Sequence, residues 1–344
     1  MPWTGTRVLV TGGASFIGSH LTEALVERGA AVRVVDNLSS GRRANLERHL
    51  SGGAIDFREI DLLEPGAVQS AMAGIEIVFH LAADHGVRGY IDSHQVGCST
   101  NLILDGLVIR AAAQVGVDKI VFASSGCVYP LGLQTNPGET LFLQEDLVGP
   151  PYDADNLYGW AKLMGELTLR AYCADGRLKG AALRYFTVYG PRCPENQGVI
   201  AMIARAFIKQ NPFEVWGTGE QIRNWTHVSD IVEATLRAAD RVDDGTAINV
   251  GTMERTRVAD AAAQVLAYTG QSEVELAFDP SRPTGPYNRV CDNSRARELL
   301  DWEPAVAFAD GLRDTIDWYF EAHSAAEVAR SLDRRLTERG QTPG

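Results

Sequence analysis

The first half of the chain alternates two hydrophobic rhythms. Short apolar runs at Thr6–Val10, Ala31–Val35, Ile75–Ala82 and Lys119–Ala123 predict strands, and Ile55–Ile60 predicts another by alternating apolar and polar positions. Between them, Ile17, Leu21, Ala24 and Leu25 recur at helical spacing over Phe16–Arg28, which Gly29 can close. Asn101–Val115 predicts a long apolar helix. Such strand–helix–strand repetition implies a parallel sheet with helices on both faces. After about residue 180 the rhythm loosens. Ala181–Tyr185 predicts one more strand, followed by a Pro- and Gly-punctuated loop over Gly190–Gly198. A helix near Ile200–Lys209 comes next, with short strands near Glu214–Trp216 and Ala247–Val250. Further helices are predicted over Ser229–Ala239, Val258–Tyr268 and Asp310–Phe320. The expected fold is α/β: a doubly wound parallel sheet over 1–180, and a smaller mixed α/β lobe over 181–322. Part of the later chain is free to return to the sheet. Residues 323–344 predict a charged helical extension, to which no chemistry is assigned.

Composition narrows this picture. At 344 residues the chain suits about two domains or one large α/β unit. With 45% apolar and 22% charged residues it is an ordinary globule, which excludes disordered and fibrous classes. No run of about 18 apolar residues is present, so no membrane span is expected. The opening MPWTGTRVLV lacks the basic and apolar regions of a signal peptide. A net charge of -12 opposes nucleic acid as a partner. Any anionic ligand must then be held by local donors. The five cysteines (98, 127, 173, 193 and 291) are odd in number, widely spaced and without CxxC. That pattern points to a reducing, cytoplasmic compartment and to no metal site.

The candidate chemistry begins where strand Thr6–Val10 runs into Thr11-Gly12-Gly13-Ala14-Ser15-Phe16-Ile17-Gly18 and a helix follows. Glycines permit a tight turn and close backbone approach to a pyrophosphate, and the helix start offers free N–H groups. Asp36 ends the next strand, 18 residues beyond Gly18. A carboxylate there accepts hydrogen bonds from ribose hydroxyls and repels a 2′-phosphate, so the expected cofactor is NAD.

Tyr158-Gly159-Trp160-Ala161-Lys162 places a phenol and an ammonium on one helix face. The cation is expected to lower the tyrosine pKa from about 10, making Tyr158 a general base for a hydroxyl proton. The strand at Lys119–Ala123 leads into Ser124-Ser125-Gly126-Cys127. Ser125 can donate to a sugar oxygen. If the chain stays extended, Ser125 and Cys127 point to the same side. Cys127 then reads either as an acid/base or as a small buried hydrophobe.

These segments, in this order, resemble the extended short-chain dehydrogenase/reductase family, the NAD-dependent nucleotide-sugar epimerases and dehydratases. The likeness runs from about residue 5 to 322 and rests on TGGASFIGSH, VVDNLSSG, HLAA, SSGCVYP, YGWAK, LRYFTVYGP, VWGTGEQIRNWTHVSD and NVG. It implies a Rossmann-type sheet and a nucleotide-diphosphate-sugar substrate. It implies that Gly12, Gly13, Ser15, Phe16, Ile17 and Gly18 form the pyrophosphate loop, and that Asp36 and Asn37 meet the ribose. Asp61 and Leu62 would lie against the adenine. Leu81, Ala82 and Ala83 would line the cofactor, with Asn101 and Tyr185 nearby. Ser125, Tyr158 and Lys162 match the family's catalytic trio, and Arg223 and Arg289 match the pair that holds a substrate diphosphate. Arg88, just after HLAA, reads either as a substrate contact or as part of a solvated loop, and Thr187 stands at a substrate position where many members carry Asn.

The chain also departs from the family pattern. Ser15 replaces the middle glycine of GxxGxxG, which a negative φ would allow. HLAADHGVRGYIDSHQ and SSGCVYP are similar to the GDP-mannose 3,5-epimerase branch, where a cysteine at the Cys127 position is an acid/base. The second acid/base of that branch falls at Gly198, which carries no proton. At 125–127 the acidic residues of dehydratases and decarboxylases are absent. The expected function is thus an NAD-dependent epimerase working through a transient 4-keto sugar. Proton exchange at C3 or C5 by Cys127 is one variant, and simple 4-epimerisation of a UDP-sugar is the other. A catalytically silent NAD-binding protein is the alternative of another class. Apolar stripes on Asn101–Val115 and Tyr158–Tyr172 imply, by the same resemblance, a homodimer.

Overall fold

The computed structural model describes residues 3–86 and 88–337. Its centre is a seven-stranded sheet in which every ladder is parallel. The strands are β1 (Arg7–Thr11), β2 (Ala31–Asp36), β3 (Ile55–Glu59), β4 (Ile77–His80), β5 (Lys119–Ser125), β6 (Lys179–Tyr185) and the edge strand Asp244–Val250. From that edge inward the order runs through β6, β5, β4, β1 and β2 to β3. This is the Rossmann-type, doubly wound arrangement expected from the sequence. The edge strand is supplied by the later chain, which returns to the sheet after residue 241.

The strands are apolar on both sides because both faces are covered. In β1, Val8 and Val10 pack with Leu21 and Leu25 of helix Phe16–Glu27 and with Ile231 of helix Val228–Arg241. Leu9 points the other way, toward Val108 and Ile109 of helix Gln95–Val115. Each such fully buried side chain contributes roughly 1.5–3 kcal/mol. Helix Asn156–Ala174 lies beside Gln95–Val115 on the same face.

Two boundaries moved for physical reasons. Helix Gln95–Val115 starts six residues before the expected Asn101, because its buried face continues through the polar positions Cys98 and Asn101. It is also the one helix among the described residues long and apolar enough to cross a membrane. Here it covers the sheet and carries buried Asp105. The second difference is the C-terminal extension. Helix Ala325–Thr337 buries Val328, Leu332 and Leu336, one turn apart, in the small-lobe core beside Phe213 and Phe308.

The small lobe is built from short strand pairs and helices. Phe213–Trp216 pairs with Leu276–Asp279, and Ile222–Arg223 lies between Thr256–Arg257 and Asn288–Arg289. His227 caps helix Val228–Arg241 by accepting from the Ser229 N–H, the structural role a turn histidine has.

One buried ion pair joins the layers. Arg184 on β6 meets Glu166 through two bonds of 2.9 and 2.8 Å, and Ser124 on β5 donates to the same carboxylate. Both charged side chains are about 95% buried. Replacing Glu166 by Ala leaves a buried, unpaired guanidinium and should cost about 3–5 kcal/mol. Urea unfolding measures this, and a midpoint unchanged from the parent chain would refute it.

Candidate active site

In an open parallel sheet the crevice opens at the carboxyl ends of strands, where chain order reverses. Here that point lies between β1 and β4, and a cavity of about 480 Å³ occupies it. Gly12, at φ +70°, turns the chain out of β1. A Cβ on Gly12 would press the Ala82 backbone at 2.9 Å, and one on Gly18 would collide with the Gly12 carbonyl. Only glycine lets the turn lie so close to the helix start. Ser15 sits at φ -82°, so the departure from glycine costs no strain. Asp36 accepts from the Ala14 N–H at 3.0 Å and from the Leu38 N–H at 2.9 Å, and Ser15 Oγ donates to it at 3.4 Å. The carboxylate expected to meet a ribose therefore also braces the loop. First-turn N–H groups of a helix have no intrahelical acceptor, and Phe16, Ile17 and Gly18 line the cavity. A close backbone, free N–H groups and a buried acid at the next strand end are the donor set a dinucleotide diphosphate and ribose require.

Ser125, Cys127, Tyr158 and Lys162 all line the same cavity. The chain does not stay extended past Ser125. Gly126–Val128 is a 3-10 turn, capped by Ser125 Oγ accepting from the Cys127 N–H at 3.1 Å. The Ser125 side chain stands near enough to the Tyr158 phenol to favour its ionised form. Helix Asn156–Ala174 can approach this turn because a Cβ on Gly159 would strike the Cys127 carbonyl.

The expected lowering of the Tyr158 pKa is corrected here. Burial pushes the phenol up, and the Cys127 and Asp105 charges push the same way, against the smaller opposing influence of Ser125. Lys162 Nζ sits 5.9 Å from the Tyr158 ring centre, but 3.3 Å from Asp105 Oδ2. Its charge is largely offset before it reaches the phenol.

Arg223 and Arg289 stand on paired strands. Arg289 reaches Asp155 at 2.9 Å, Gln134 at 2.7 Å and Cys127 Sγ at 3.3 Å. Arg223 donates to the carbonyls of Ile222 and Thr284 at 2.8 and 2.7 Å. Burial, and then Arg289, lower the Arg223 guanidinium to about 9. Asp155 is paired with Arg289, while Arg223 donates only to carbonyls, so this cavity wall is ready for an anion. Gln221 and Asn196 also line the cavity, with buried amide atoms that lack a partner.

Other expected residues take different places. Leu81, Ala83, Tyr185 and Thr187 line the cavity, although the Tyr185 hydroxyl is engaged by Thr235 at 2.7 Å. Asn101 does not line it; its amide pins Asp84 through two bonds of 2.7 Å. Gly13 and Ala82 pack behind the loop. Asn37 and Asp61 meet at 3.2 Å beside Leu62, at the ends of β2 and β3. The side chain of Arg88 lies outside the described residues.

Sequence reasoning missed three contributors. Asp105 and His80 lie behind Lys162, and the only signal was an acid within an apolar helix. The extension given no chemistry brings Arg334 and Arg335 to the cavity wall, where Arg335 pairs with Glu195. Among the described residues no His/Cys/Asp/Glu group could hold a metal ion.

A family model described as "NAD dependent epimerase/dehydratase family" matches residues 8–251. A UDP-N-acetyl-alpha-D-glucosaminuronate decarboxylase of Bacillus cytotoxicus is 32% identical over 92% of this chain and 98% of its own. GDP-mannose 3,5-epimerase 1 of Oryza sativa subsp. japonica is 29% identical over 92% of this chain and 82% of its own. Among solved structures, the UDP-glucose 4-epimerase of Thermotoga maritima with UDP-glucose superposes with a TM-score of 0.82. It is 30% identical, over 92% of this chain and 99% of that one.

The loop geometry makes a direct prediction. Gly18→Ala should weaken NAD binding by about tenfold or more, the overpacking cost of one misplaced methyl group. Calorimetric titration of the stripped protein checks it, and an unchanged affinity would contradict the close approach.

Proposed function

The chain belongs to the NAD dependent epimerase/dehydratase family, and within it we propose a nucleotide-sugar 4-epimerase that works through a transient 4-keto sugar. The observation that carries this reading is the meeting of Ser125 and Tyr158 on one cavity wall, with Lys162 Nζ 5.9 Å from the Tyr158 ring centre. The Gly12–Gly18 loop would hold NAD, which would supply reversible hydride transfer with the sugar carbon. Tyr158 takes the proton of the C4 hydroxyl, and Ser125 donates to the same oxygen as it becomes a carbonyl. On return, Tyr158 gives the proton back. Arg223 and Arg289 hold the diphosphate, which tethers the sugar while its ring turns.

Two observations favour this over double epimerisation and over acid loss. The Gly198 position is open space, where an added Cβ meets nothing within 4 Å, so no second proton carrier stands there. At the end of β5 the chain offers Cys127 where the resemblance places an acid in decarboxylases and dehydratases. A second reading remains specific: the Arg289 guanidinium lies 3.3 Å from Cys127 Sγ, placed to compensate negative charge on that sulfur. Cys127 would then exchange a proton at C3 or C5 of the ketone. The relatives' substrates make UDP-sugars the first class to test.

Turnover in D₂O separates the two. The 4-epimerase reading expects product without solvent deuterium and a mild Cys127→Ser variant. Deuterium at C3 or C5, with a dead Cys127→Ser, would overturn it. Tyr158→Phe should lose about a hundredfold or more in kcat while still carrying NAD.

The reading includes a homodimer in the cytoplasm. Leu102, Ile103, Trp160 and Met164 are exposed on two neighbouring helices, more apolar surface than a lone subunit usually shows in one place. All five cysteines are free, which suits a reducing compartment. Ile103→Glu should yield monomers in sedimentation; a monomeric parent chain at micromolar concentration would sink the dimer.

A further inference from the structure

Helix Gln95–Val115 covers the sheet with an apolar face, yet Asp105 lies in that face with 1% of its surface exposed. A buried carboxylate is costly unless paired and hydrogen-bonded. Here every partner is identifiable. Thr11 Oγ1 accepts from the Leu81 and Ala82 N–H groups at 3.2 and 3.1 Å. Its own hydrogen is therefore free for His80 Nδ1, at 2.8 Å. That assigns the remaining ring hydrogen to Nε2, which donates to Asp105 Oδ1 at 3.0 Å. Asp105 Oδ2 then accepts from Lys162 Nζ at 3.3 Å. Burial keeps His80 neutral, so the cluster holds one negative and one positive charge.

This cluster stands directly behind the proposed acid/base. Lys162 Nζ lies over the Phe122 ring at 4.7 Å and beside the Tyr158 ring at 5.9 Å. Tyr158 is faced by Cys127 and Ser125 from the end of β5, by Asp105 and Cys98 from helix Gln95–Val115, and by His85, whose ring centre is 6.3 Å away. Lys162 is the one cation in this set, and Asp105 is its counter-charge.

We propose that Asp105 is a positioning residue: anchored by His80, its carboxylate fixes Lys162 Nζ beside Tyr158, offsets its charge, and so sets the pH at which Tyr158 releases its proton. This rests on the reading of Tyr158 as the group that moves the hydroxyl proton. Without Asp105 the ammonium would act on the phenol unopposed, and an opposite charge at this range favours phenolate. With Asp105 present, the phenol keeps its proton to higher pH before it becomes the base. The anchor also ties Lys162 to the Leu81–Ala82 backbone through Thr11, so a shift of that cavity wall is felt at the ammonium.

The test uses the NAD-loaded chain with Asp105→Asn, which keeps an acceptor for His80 and removes the charge. Asp105→Ser is a second neutral variant. The acidic limb of the kcat–pH profile should move down by about one unit, roughly a tenfold gain on that limb relative to its plateau, with KM within about twofold. The ultraviolet absorbance of the Tyr158 phenolate, referenced to Tyr158→Phe, should titrate lower by the same amount. An unmoved limb with unmoved absorbance overturns the proposal. So does lost activity with unmoved absorbance, which would mark Asp105 as merely structural. A chain that folds with neither Asn nor Ser at 105 counts against it equally, since a fold-critical acid needs no part in proton release. If no nucleotide sugar is turned over but the absorbance moves, the epimerase reading falls and the role of Asp105 stands.

Discussion

The whole molecule is governed by what a parallel sheet must bury. Helices cover both faces, so the strands are sealed and only their carboxyl ends remain for chemistry. Gly12, Leu81 and Ser125 line the crevice because β1, β4 and β5 end there, side by side. The same sealing explains the energetics of the site. Polar side chains that enter it leave water behind and must find partners inside. Thr11, His80, Asp105 and Lys162 satisfy one another in a line from the sheet into the helix layer on one face. Ser124, Glu166 and Arg184 do so one strand further along.

Charge follows the same logic. The chain carries a net charge of -12, yet its cavity wall presents Arg223, Arg289 and Arg335. The acids near them are already committed: Asp155 to Arg289, and Glu195 to Arg335. Glu195 is held below the ordinary carboxylate range because Arg335 and His323 outweigh the effect of burial. What remains is a short stretch of wall with surplus positive charge, set in a protein whose outer field repels anions. Local donors, not the global field, select the ligand.

The parts of this site legible in the sequence were those made by local chain geometry. The glycine turn into helix Phe16–Glu27 and the i, i+4 pair Tyr158/Lys162 are short-range patterns, and the structure keeps both. The strand rhythm of the first half was legible for the same reason. Features that depend on distant partners were not. The pairing of Lys162 with Asp105 joins residues 57 apart, and burial, with the Cys127 and Asp105 charges, reverses the effect that Tyr158 and Lys162 suggest when taken alone. The 3-10 turn at Cys127 is held by a side-chain cap that strand periodicity does not reveal. Helix Ala325–Thr337 looked like a charged tail because its apolar edge is one residue wide, and only docking on the small lobe gives that edge a purpose.

The division between positioning and mobility finally bears on stereochemistry. A sugar that inverts by rotating a ketone needs one firm tether and a roomy, weakly interacting enclosure for the ring. Inversion through carbon acids needs the opposite: two proton carriers fixed on opposite faces of a ring that does not move. The chain builds its rigidity into the phenol, the ammonium behind it and the guanidinium pair. On the same cavity, Gly198 opens helix Gly198–Phe207 with no side chain, and Asn196 and Gln221 hold unpaired amide atoms at the wall. Those amides can solvate a ring or a base in more than one orientation, and neither is a base that pulls a proton from carbon. That contrast between fixed proton-transfer groups and adaptable amides is what the proposed rotating ketone would require.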